Sequence, residues 1–456
     1  MEQRLIDELR RATAPDRVLT SPEDLAVYSY DGTWLEHRPD VVVAAKSAAE
    51  VAGVLRIADR ERIPVVPRGG GSGLAGGSVP LGGGIVLSTT LMNRIIDIDT
   101  VDMVAVVEAG VVNAALQAAV EQRGFFYPPD PASLRQATIG GNIATAASGP
   151  RCLKYGGTKD YVLGLQVVLP GGQVIRAGGR MIKSVTGYDL VHLFTGSEGT
   201  LGVITEATLR IIPRAKARGS VMAVFPRLDD AGEAVTAVLG AGVVPLALEM
   251  MDQSAIYCVE QYLHAGLPLA AEAVLLVDVD GDAESVASQI EVVAEACLGG
   301  GASEVRRATT KAEIEAMWAA RRAVSPSLAR LKPNKLGEDI SVPRSAIPQM
   351  VRRVAEIAKQ HDLLIPLFGH IGDGNLHPNI LCDLRDKAET ERVVAAAREI
   401  FAAALALGGT LSGEHGIGLL KKEYLPAGLD PGALALMKSI KGLIDPNNIM
   451  NPGKVY

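Results

Sequence analysis

The sequence predicts an α+β protein with more than one domain. From residue 41 onward, segments with the spacing of amphipathic helices alternate with short apolar segments typical of strands. A glycine-rich stretch joins two of the apolar segments, where a parallel α/β fold would place a helix. Glycine clustering stops near residue 213 and returns near residue 411. Because 456 residues are more than one hydrophobic core usually serves, these changes are predicted domain boundaries.

In chain order, we predict four parts. Residues 1–37 form a helical preface, and residues 38–213 form a glycine-rich domain that begins as α/β and continues as α+β. Residues 214–410 form a second α+β domain, whose sheet carries helices on one face. Residues 411–456 are a C-terminal segment that is glycine-rich again. The predicted strands include Val41–Ala44, Ile63–Val66, Ile85–Ser88, Val104–Val107, Tyr161–Leu169, Val221–Phe225 and Ala273–Val279, and the predicted helices include Ala48–Glu61, Asn113–Arg123, Asp229–Leu239 and Ala283–Ala296.

Composition and charge argue against several classes of function. A net charge of −7 without a long run of Lys or Arg argues against a nucleic-acid partner. No apolar run is long enough to span a bilayer, and the N-terminus mixes acidic and basic residues, unlike a signal peptide. The four cysteines form no C-x-x-C pair, which argues against a local iron–sulfur cluster and against a disulfide framework. We therefore expect a cytoplasmic protein.

The stretch Pro67–Gly77, with the sequence PRGGGSGLAGG, directly follows the predicted strand Ile63–Val66. Glycine accepts positive φ freely and lets another group approach the backbone closely. Successive exposed N–H groups in such a loop form a concavity that binds anions, typically a phosphate. A flexible surface turn is the plain alternative, but a linker would contain more serine and other polar residues. The stretch is therefore predicted to bind phosphate.

Part of this stretch, Gly71–Gly76, also matches the G-x-G-x-x-G fingerprint of dinucleotide-binding domains. That fingerprint requires a helix directly after the loop, which receives the pyrophosphate on its N-terminus. Here Pro80 and the three glycines Gly82–Gly84 follow, and a helix does not survive such a run. The next predicted element is the strand Ile85–Ser88. We therefore expect a strand–loop–strand phosphate site rather than a Rossmann nicotinamide site.

Three of the seven histidines lie in two glycine-bounded motifs near the C-terminus. His370 and His377 belong to the motif GHIGDGNLH, and His415 follows Glu414 in the motif SGEHG. Two imidazoles and a carboxylate, with one position left open, are a ligand set of a catalytic divalent metal. The His-x₆-His spacing is not a common zinc signature, and hydrogen-bonded histidines in turns are the alternative. The three together favour a site, whereas the other four histidines lack an evident partner nearby.

With both constellations in view, the chain resembles flavoproteins of the vanillyl-alcohol-oxidase/PCMH superfamily. It is most similar to the branch that includes glycolate oxidase, D-lactate dehydrogenase and D-2-hydroxyglutarate dehydrogenase. The shared motifs follow the family's order over nearly the whole chain. They are Pro67–Gly77, Pro128–Ser133, Gly140–Thr145, Gly187–Leu190, Gly196–Gly202, Gly369–His377, Ser412–Gly418 and Asn451–Gly453. The resemblance implies a two-lobed PCMH-type FAD-binding domain over 38–213, a substrate (cap) domain over 214–410, and a C-terminal segment over 411–456 that returns to the flavin and completes the active site.

The same resemblance implies that the loop Gly69–Gly77 holds the pyrophosphate of FAD. In related flavoproteins with covalently bound FAD, a histidine often follows the RGGG stretch. That place is Ser72 here, so we predict dissociable FAD, with Cys152 as a small buried side chain. The implied FAD contacts are Pro67, Arg68, Gly69, Gly70, Gly71, Ser72, Gly73, Leu74, Gly77, Asp130, Ser133, Gly140, Gly141, Asn142, Thr145, Gly149, Glu198, Gly202, Val203, Ile204 and Asn451.

The resemblance further implies that His370, His377 and Glu414 bind a divalent metal and that His415 is the catalytic base. Zinc is the first choice of metal, with iron and manganese as alternatives. Oxidation of a 2-hydroxy acid removes a proton from the hydroxyl and a hydride from the adjacent carbon. The metal can lower the hydroxyl pKa, an imidazole with an ordinary pKa of about 6.5 can accept the proton, and flavin N5 can take the hydride. Because neighbouring residues on a strand point to opposite faces, a glycine turn must aim Glu414 and His415 at one pocket.

A substrate carboxylate can pair with the planar guanidinium of an arginine through two parallel hydrogen bonds. The segment Met317–Arg322 resembles the family's substrate-arginine segment, which makes Arg321 the first candidate and Arg322 the alternative. A solvated helix face is the plain reading of the same segment. Ser325, Lys335 and Asn379 are further candidates for substrate contacts.

We therefore predict FAD- and metal-dependent oxidation of a D-2-hydroxy acid, such as glycolate or D-lactate, to the 2-oxo acid. Because the chain has no cluster motif, we expect electrons to leave through an external acceptor: a quinone, an electron-transfer flavoprotein or an iron–sulfur subunit. The alternatives are an oxygen-using 2-hydroxy acid oxidase, a flavin-holding electron-transfer subunit of a larger complex, and a metallohydrolase without flavin. A homodimer or hetero-complex, cytoplasmic or peripheral to the inner membrane, is compatible with the sequence.

Overall fold

The computed structural model describes residues 1–264 and 266–456. The chain forms two compact units. The first unit contains Met1–Gly149, Gly156–Arg214 and Glu414–Tyr456, and the second contains Pro150–Tyr155 and Ala215–Gly413. In this division, residues 1–37 lie in the first unit, whereas residues 150–155 and 411–413 lie in the second unit.

Helices and strands alternate along both units. The helices are α1 Gln3–Ala12, α2 Pro22–Val27, α3 Ala48–Glu61, α4 Asn113–Glu121, α5 Ile139–Thr145, α6 Cys152–Tyr155, α7 Leu190–Phe194, α8 Leu228–Gly240, α9 Gln253–Leu263, α10 Ala283–Gly299, α11 Lys311–Leu331, α12 Ile347–Gln360, α13 Lys387–Ala406, α14 Leu425–Gly428 and α15 Pro431–Ile444. The strands are β1 Val18–Leu19, β2 Val41–Ala44, β3 Val65–Arg68, β4 Ile85–Ser88, β5 Ile95–Asp99, β6 Val104–Glu108, β7 Phe125–Phe126, β8 Val162–Val168, β9 Val174–Gly178, β10 Val203–Arg210, β11 Ile212–Pro213, β12 Ala217–Phe225, β13 Ala247–Asp252, β14 Ala273–Gly281, β15 Glu304–Ala308, β16 Asn334–Gly337, β17 Ile340–Ser341, β18 Leu367–His370 and β19 Asn375–Cys382.

The first lobe of the first unit is built on a four-stranded sheet with the order β1–β2–β4–β3. Strands β2, β4 and β3 are parallel, and α3 connects β2 to β3. Val51, Val54 and Leu55 of this helix are buried in one cluster with residues of the sheet and with Leu5 and Leu9 of α1. Each such side chain contributes about 1.5–3 kcal/mol when it is fully buried. The preface therefore belongs to the same core as the glycine-rich domain.

The second lobe of the first unit is built on a five-stranded antiparallel sheet with the order β5–β6–β10–β8–β9. Val168 of β8 and Val203 of β10 pack in the core of the first lobe, so the two lobes share apolar contacts. The C-terminal segment joins the edge of the first sheet. There the N–H of Val65 donates to the carbonyl of Ile449 over 2.7 Å, and the N–H of Asn451 donates to the carbonyl of Val65 over 2.8 Å.

The second unit is built on an eight-stranded sheet, whose main path has the order β15–β12–β14–β13–β18–β19–β16 and whose strand β17 pairs with β19. Strands β12 and β14 are buried almost along their whole length. Met222 of β12 packs with residues of α9 and α11, whereas Gly219 of the same strand faces Ile290 of α10. The prediction that helices cover one face is therefore wrong, because they cover both. The unbroken apolar runs of these strands are typical of two-sided burial.

Among the described residues, no helix combines the length and the apolar content that crossing a membrane requires. Cys258, Cys297 and Cys382 are buried free thiols. Cys152 is only half-buried, in the short helix α6, so the prediction of a buried side chain is wrong. Pro150 at the start of this segment and the glycines after it keep the helix to a single turn, and this leaves part of the thiol exposed.

Candidate functional site

The predicted phosphate loop lies between β3 and β4, which are parallel neighbours in the first sheet. Two of its glycines adopt the left-handed conformation, Gly71 with φ +65° and Gly76 with φ +77°. The element that follows the loop is the strand β4 and not a helix. The strand–loop–strand arrangement is therefore confirmed, and the G-x-G-x-x-G match is not a Rossmann fingerprint.

The second glycine-rich motif of the first unit packs directly against this loop. A Cβ atom on Gly69 would lie well inside 3.0 Å of the Thr138 hydroxyl, and one on Gly70 would lie equally close to the carbonyl of Gln136. Thr138 caps helix α5, because its hydroxyl accepts a hydrogen bond from the N–H of Gly141 over 3.3 Å. Glycine at positions 69 and 70 thus allows two backbone segments to meet without side chains between them.

The two motifs line a cleft that holds about 740 Å³ of space, part of it open to solvent. All of its lining residues belong to the first unit. Among the residues with an implied FAD contact, those on the cleft wall are Pro67, Arg68, Gly69, Gly73, Gly77, Gly140, Gly141, Thr145, Glu198, Gly202, Val203 and Ile204. The wall also contains Ala75, Ala144, Ser197 and Gly199, which lie inside the predicted motifs, and Ser78, which directly follows the glycine loop. Sequence reasoning missed Thr89, which directly follows strand β4.

The remaining implied FAD contacts are not on the wall of this cleft. They are Gly70, Gly71, Ser72, Leu74, Asp130, Ser133, Asn142, Gly149 and Asn451. Gly149 lies against Asp130, since a Cβ on this glycine would come within 3.0 Å of the Asp130 carbonyl. Asn451 donates through its amide to the carbonyl of Gly77 over 3.1 Å and to that of Glu198 over 2.7 Å. Its contacts therefore tie the C-terminal segment to the cleft wall.

Glu198 holds the C-terminal segment with both of its carboxylate oxygens. Oε1 accepts from the N–H of Ile417 over 2.8 Å, and Oε2 accepts from the N–H of Gly418 over 2.9 Å. Burial raises the pKa of Glu198, and these two amide hydrogen bonds oppose the rise. Glu198 also has a left-handed backbone, with φ +50°. Both carboxylate oxygens of Glu198 thus bind the C-terminal segment. These hydrogen bonds fix the side chain where it lies on the cleft wall.

Two cations lie beneath the glycine loop. Arg68 is buried under Gly71 and donates to the carbonyl of Tyr30 over 2.6 Å. Lys454 is 3% exposed and donates to the carbonyl of Gly77 over 2.8 Å and to Oδ1 of Asn451 over 2.6 Å. Burial lowers the pKa of Lys454 to about 7. Positive charge beside a loop of bare amides favours a bound anion.

The cleft fits a dinucleotide with a pyrophosphate. Its loop lacks side chains where the second motif approaches, and cationic Arg68 lies on its wall. The side-chain amide of Asn142 on α5 is buried and has no hydrogen-bond partner among the described residues. A buried donor without a partner costs about 1–3 kcal/mol, and a bound ligand can relieve that cost. These features agree with an FAD site in the first unit.

His415, the predicted base, lies on the wall of the same cleft. Its ring nitrogen Nε2 is 3.9 Å from Oε1 of the neighbouring Glu414. The next residue, Gly416, has φ +87°, and a Cβ at this position would lie against the Glu198 carboxylate. The side chains of Glu414 and His415 thus lie close together directly before a glycine with a left-handed backbone.

His370 and His377 lie in the second unit, on the neighbouring antiparallel strands β18 and β19. Both are buried, their ring centroids are 5.1 Å apart, and one ligand nitrogen of each lies within 4.8 Å of the other. Nδ1 of His370 is 2.5 Å from Oε1 of Glu249, on strand β13. Burial alone would raise the pKa of Glu249, but His370 and Arg321 outweigh burial and lower it. Two adjacent imidazoles, one of them backed by a carboxylate, fit a divalent metal such as zinc.

Asp339 is a buried acid of this region that sequence reasoning missed. Its oxygens accept from the amide of Asn375 over 2.6 Å and from the hydroxyl of Ser412 over 2.7 Å. Oδ1 is 3.8 Å from Nδ1 of His377. The sequence signal for this acid is the pair Glu338–Asp339, which follows Gly337 at the end of β16. The partners of Asp339 are distant in the sequence. Asp339 joins the β19 hairpin to the chain that leads into Glu414.

The predicted substrate residues also belong to the second unit. Arg321 and Ser325 lie four residues apart on one face of α11, and the ammonium of Lys335 donates to the hydroxyl of Ser325 over 2.6 Å. Burial lowers the pKa of Lys335. Asn379 follows His377 by two residues on β19 and donates to its carbonyl over 2.9 Å. The structure therefore brings Ser325 and Lys335 together and puts Asn379 beside His377.

Arg321 and its alternative Arg322 have different surroundings. Nε and Nη2 of Arg321 contact Oε2 of Glu249 at 2.8 and 2.7 Å, and its guanidinium lies over the ring of Phe368. Arg322 is exposed and pairs with Glu315 on the same helix. His370 and Arg321 thus share the carboxylate of Glu249, whereas Arg322 pairs with Glu315. This contrast favours Arg321 over Arg322.

Comparison with protein families matches two models to this chain. The C-terminal domain of FAD linked oxidases matches residues 214–455, and an FAD binding domain matches residues 39–178. Together they cover most of both units. The family described by the longer match accounts for more than half of the chain.

Curated relatives match over almost their whole length. The glycolate oxidase subunit GlcD of Bacillus subtilis is 44% identical over 99% of this chain and 96% of its own. The D-lactate dehydrogenase of Anaerostipes hadrus is 37% identical over 97% and 95% of the two chains. The D-2-hydroxyglutarate dehydrogenase of Stutzerimonas stutzeri is 34% identical over 99% and 98%.

A solved structure of p-cresol methylhydroxylase with substrate bound aligns with a TM-score of 0.83 over 99% of this chain and 96% of its own, at 20% identity. An alkyldihydroxyacetonephosphate synthase aligns with a TM-score of 0.77 over 100% and 86%, at 19% identity. At such identities these likenesses show the fold alone. They confirm the predicted fold class, a PCMH-type arrangement of mixed helices and sheets.

Proposed function

This chain belongs to the family of FAD-linked oxidases, and we propose that it oxidises a D-2-hydroxy acid to the 2-oxo acid. The curated relatives are named for glycolate, D-lactate and D-2-hydroxyglutarate. Each of these compounds carries a hydroxyl on the carbon next to a carboxylate. An FAD-linked oxidoreductase acting on hydroxy acids is the reading that these names share.

The observation that carries the proposal is the buried pair His370 and His377, with Glu249 behind the first ring. A flavoprotein that only transfers electrons has no need for two adjacent buried imidazoles, one of which contacts a buried carboxylate. Glu414 is the proposed third ligand. It follows Gly413 directly in the chain, and a Cβ on Gly413 would touch the amide of Asn375 in the same hairpin as both histidines. Zinc is the proposed metal, with iron and manganese as alternatives.

The chain's own residues can bind and orient the acid. Arg321 commits Nε and Nη2 to Glu249, so its outer N–H groups can pair with a substrate carboxylate. Ser325 and Lys335 supply a hydroxyl and a cation close to it on the same face. Asn379, beside His377, can donate to the same carboxylate. These four residues would fix the orientation of the acid through its carboxylate.

His415 is the proposed base, because it lies on the wall of the cofactor cleft and beside ligand candidate Glu414. A histidine imidazole is a common general base, and this one would accept the hydroxyl proton. When bound, FAD would supply the acceptor for the hydride of carbon 2, and a divalent ion would supply a Lewis acid for the substrate hydroxyl. His415 then holds the proton while the carbonyl of the product forms.

Electrons would leave the reduced protein through an external acceptor. The four cysteines of the chain form no cluster motif, and three are buried in separate elements. A quinone, an electron-transfer flavoprotein or an iron–sulfur subunit therefore fits better than an internal relay. The word "subunit" in the name of the B. subtilis relative supports a hetero-complex.

Anaerobic flavin reduction tests the function. The purified holoprotein is mixed without oxygen with D-lactate, L-lactate, glycolate or D-2-hydroxyglutarate, and the visible flavin absorbance is followed. We expect bleaching by at least one of the 2-hydroxy acids and, for lactate, by the D enantiomer only. Bleaching by L-lactate alone, or by none of the four, would contradict the proposal. Admitting air or a quinone afterwards then separates an oxidase from a dehydrogenase by the rate at which the colour returns.

A further inference from the structure

Three polar side chains of the second unit form a continuous series of contacts that ends at His370, one member of the histidine pair. They come from three different elements: Arg321 from α11, Glu249 from β13 and His370 from β18. In the pairing of β13 with β18, Met250 lies opposite Gly369 and Met251 opposite Phe368, so the register places Glu249 opposite His370. Each carboxylate oxygen has its own partner: Oε2 contacts Arg321 at 2.7 Å, and Oε1 contacts His370 Nδ1 at 2.5 Å.

Burial makes this arrangement expensive unless every member is paired. The side chain of Glu249 is 1% exposed, that of His370 8% and that of Arg321 14%. A buried ionised carboxylate needs compensating charge and hydrogen bonds, and Arg321 supplies a permanent positive charge to one oxygen of Glu249. Any neutral donor could have satisfied the other oxygen of Glu249, Oε1. Instead, Oε1 contacts the imidazole of His370, and the imidazole of His377 lies beside that ring.

A carboxylate at Nδ1 has a specific effect on a histidine ring. It accepts a hydrogen bond from Nδ1–H. This contact fixes the neutral ring in the tautomer that carries the lone pair on Nε2, and it makes Nε2 more basic. Histidines that bind metals use this partner regularly. An amide or hydroxyl partner would not select the tautomer as strongly, because either group can donate as well as accept.

We propose that Glu249 is a positioning residue for the metal site, which holds His370 with Nε2 toward the metal while Arg321 orients Glu249. This inference rests on the proposed function, since it assumes that His370 is a ligand. It adds two residues that act through His370 and do not touch the metal. It also gives Arg321 a second task besides the substrate carboxylate.

The chain offers a matched control in the same unit. Glu399 on α13 is likewise shared between an arginine and a histidine: it pairs with Arg353 at 3.4 Å and with Nε2 of His361 at 2.8 Å. These groups are more exposed and lie away from the histidine pair. Glu399→Gln therefore removes the same kind of contact without reaching the proposed site.

The test compares wild type, Glu249→Gln and Glu399→Gln. Metal-free protein is titrated with Zn²⁺ and with Mn²⁺ in competition with a chromophoric chelator, and FAD content is measured alongside. We expect Glu249→Gln to weaken metal binding about ten- to hundredfold, the usual effect of losing such a partner, and Glu399→Gln to change it less than twofold. Equal affinities in wild type and Glu249→Gln would overturn the inference and leave the proposed function standing. Wild-type protein that binds neither ion would overturn both.

A second readout does not depend on the metal. In metal-free protein, the ¹⁵N shifts of the His370 ring report its tautomer, and we expect the Nδ1–H form in wild type and a shift toward Nε2–H in Glu249→Gln. The Nε2–H form in wild type would overturn the inference. If Glu249→Gln fails to fold because Arg321 is left unpaired, the double variant Glu249→Gln/Arg321→Met removes both charges. It should fold and show the same loss of metal affinity, and wild-type affinity in it would likewise overturn the inference.

Discussion

Gly70→Ala is predicted to damage the cofactor cleft by forcing two backbone segments apart. The added Cβ would lie well inside 3.0 Å of the Gln136 carbonyl oxygen. That carbonyl cannot rotate away easily, because the turn from Ser133 to Ala137 is fixed by two hydrogen bonds of 2.8 Å. Gly70 does not need a positive φ, so the substitution adds a clash and no backbone strain. Overpacking of this kind costs about 1–3 kcal/mol.

If the loop relieves the clash by moving away from residues 136–138, the cleft opens and the cost appears in FAD binding. At 1.4 kcal/mol per factor of ten, FAD affinity then falls roughly 5- to 150-fold. The assay is a titration of apoprotein with FAD, followed by quenching of flavin fluorescence. Gly171→Ala is the control, since an added Cβ there meets nothing within 4 Å. FAD affinity of Gly70→Ala within twofold of wild type would refute the role given to this contact.

Two further predictions concern the first unit. His415→Asn should lower kcat/KM about 10²- to 10⁴-fold with unchanged FAD content, since it removes the proposed base. His361→Asn is the control and should leave the rate unchanged. A wild-type rate in His415→Asn would exclude His415 as the base. Burial lowers the pKa of Lys454 to about 7, compared with about 10.4 in an unfolded chain. The charges of Asp31 and Glu198 oppose this decrease, and the charge of Arg68 adds to it. Between about pH 7 and about pH 10.4 the unfolded state binds more protons than the folded state, so stability increases with pH. The thermal unfolding midpoint of FAD-free protein should therefore rise from pH 7 to pH 9, and Lys454→Met should lose that rise. Parallel pH profiles of the two proteins would contradict this prediction.

The chemistry of local motifs was predictable from the sequence. The glycine loop between two strands needs only its own residues: Pro80 and the glycines after it exclude a helix, and β4 follows as predicted. His370 and His377 lie on one hairpin, so their spacing in the chain already brings them together. The glycine turn beside Glu414 and His415 follows from their adjacency. In each case the partners are close in sequence.

Long-range partners were not predictable. Glu249 is an acid between apolar residues of β13, and its partner His370 is 121 residues away. Glu198 was expected at the cofactor, whereas its carboxylate holds amides about 220 residues further along the chain. The coverage of both sheet faces in the second unit was misjudged, although the unbroken apolar runs of β12 and β14 carried that signal. A sequence shows that a buried acid needs a partner but not which residue supplies it.

The central claim is that the buried histidine pair acts on a hydroxy acid whose hydride passes to FAD. The most direct measurement is the rate of anaerobic flavin bleaching by the best substrate, with hydrogen or deuterium on carbon 2, in wild type and in His377→Ala. The account predicts a primary isotope effect in wild type, and at least a hundredfold slower bleaching in His377→Ala with full FAD content. Bleaching of His377→Ala at the wild-type rate, or the absence of an isotope effect under single-turnover conditions, would contradict it.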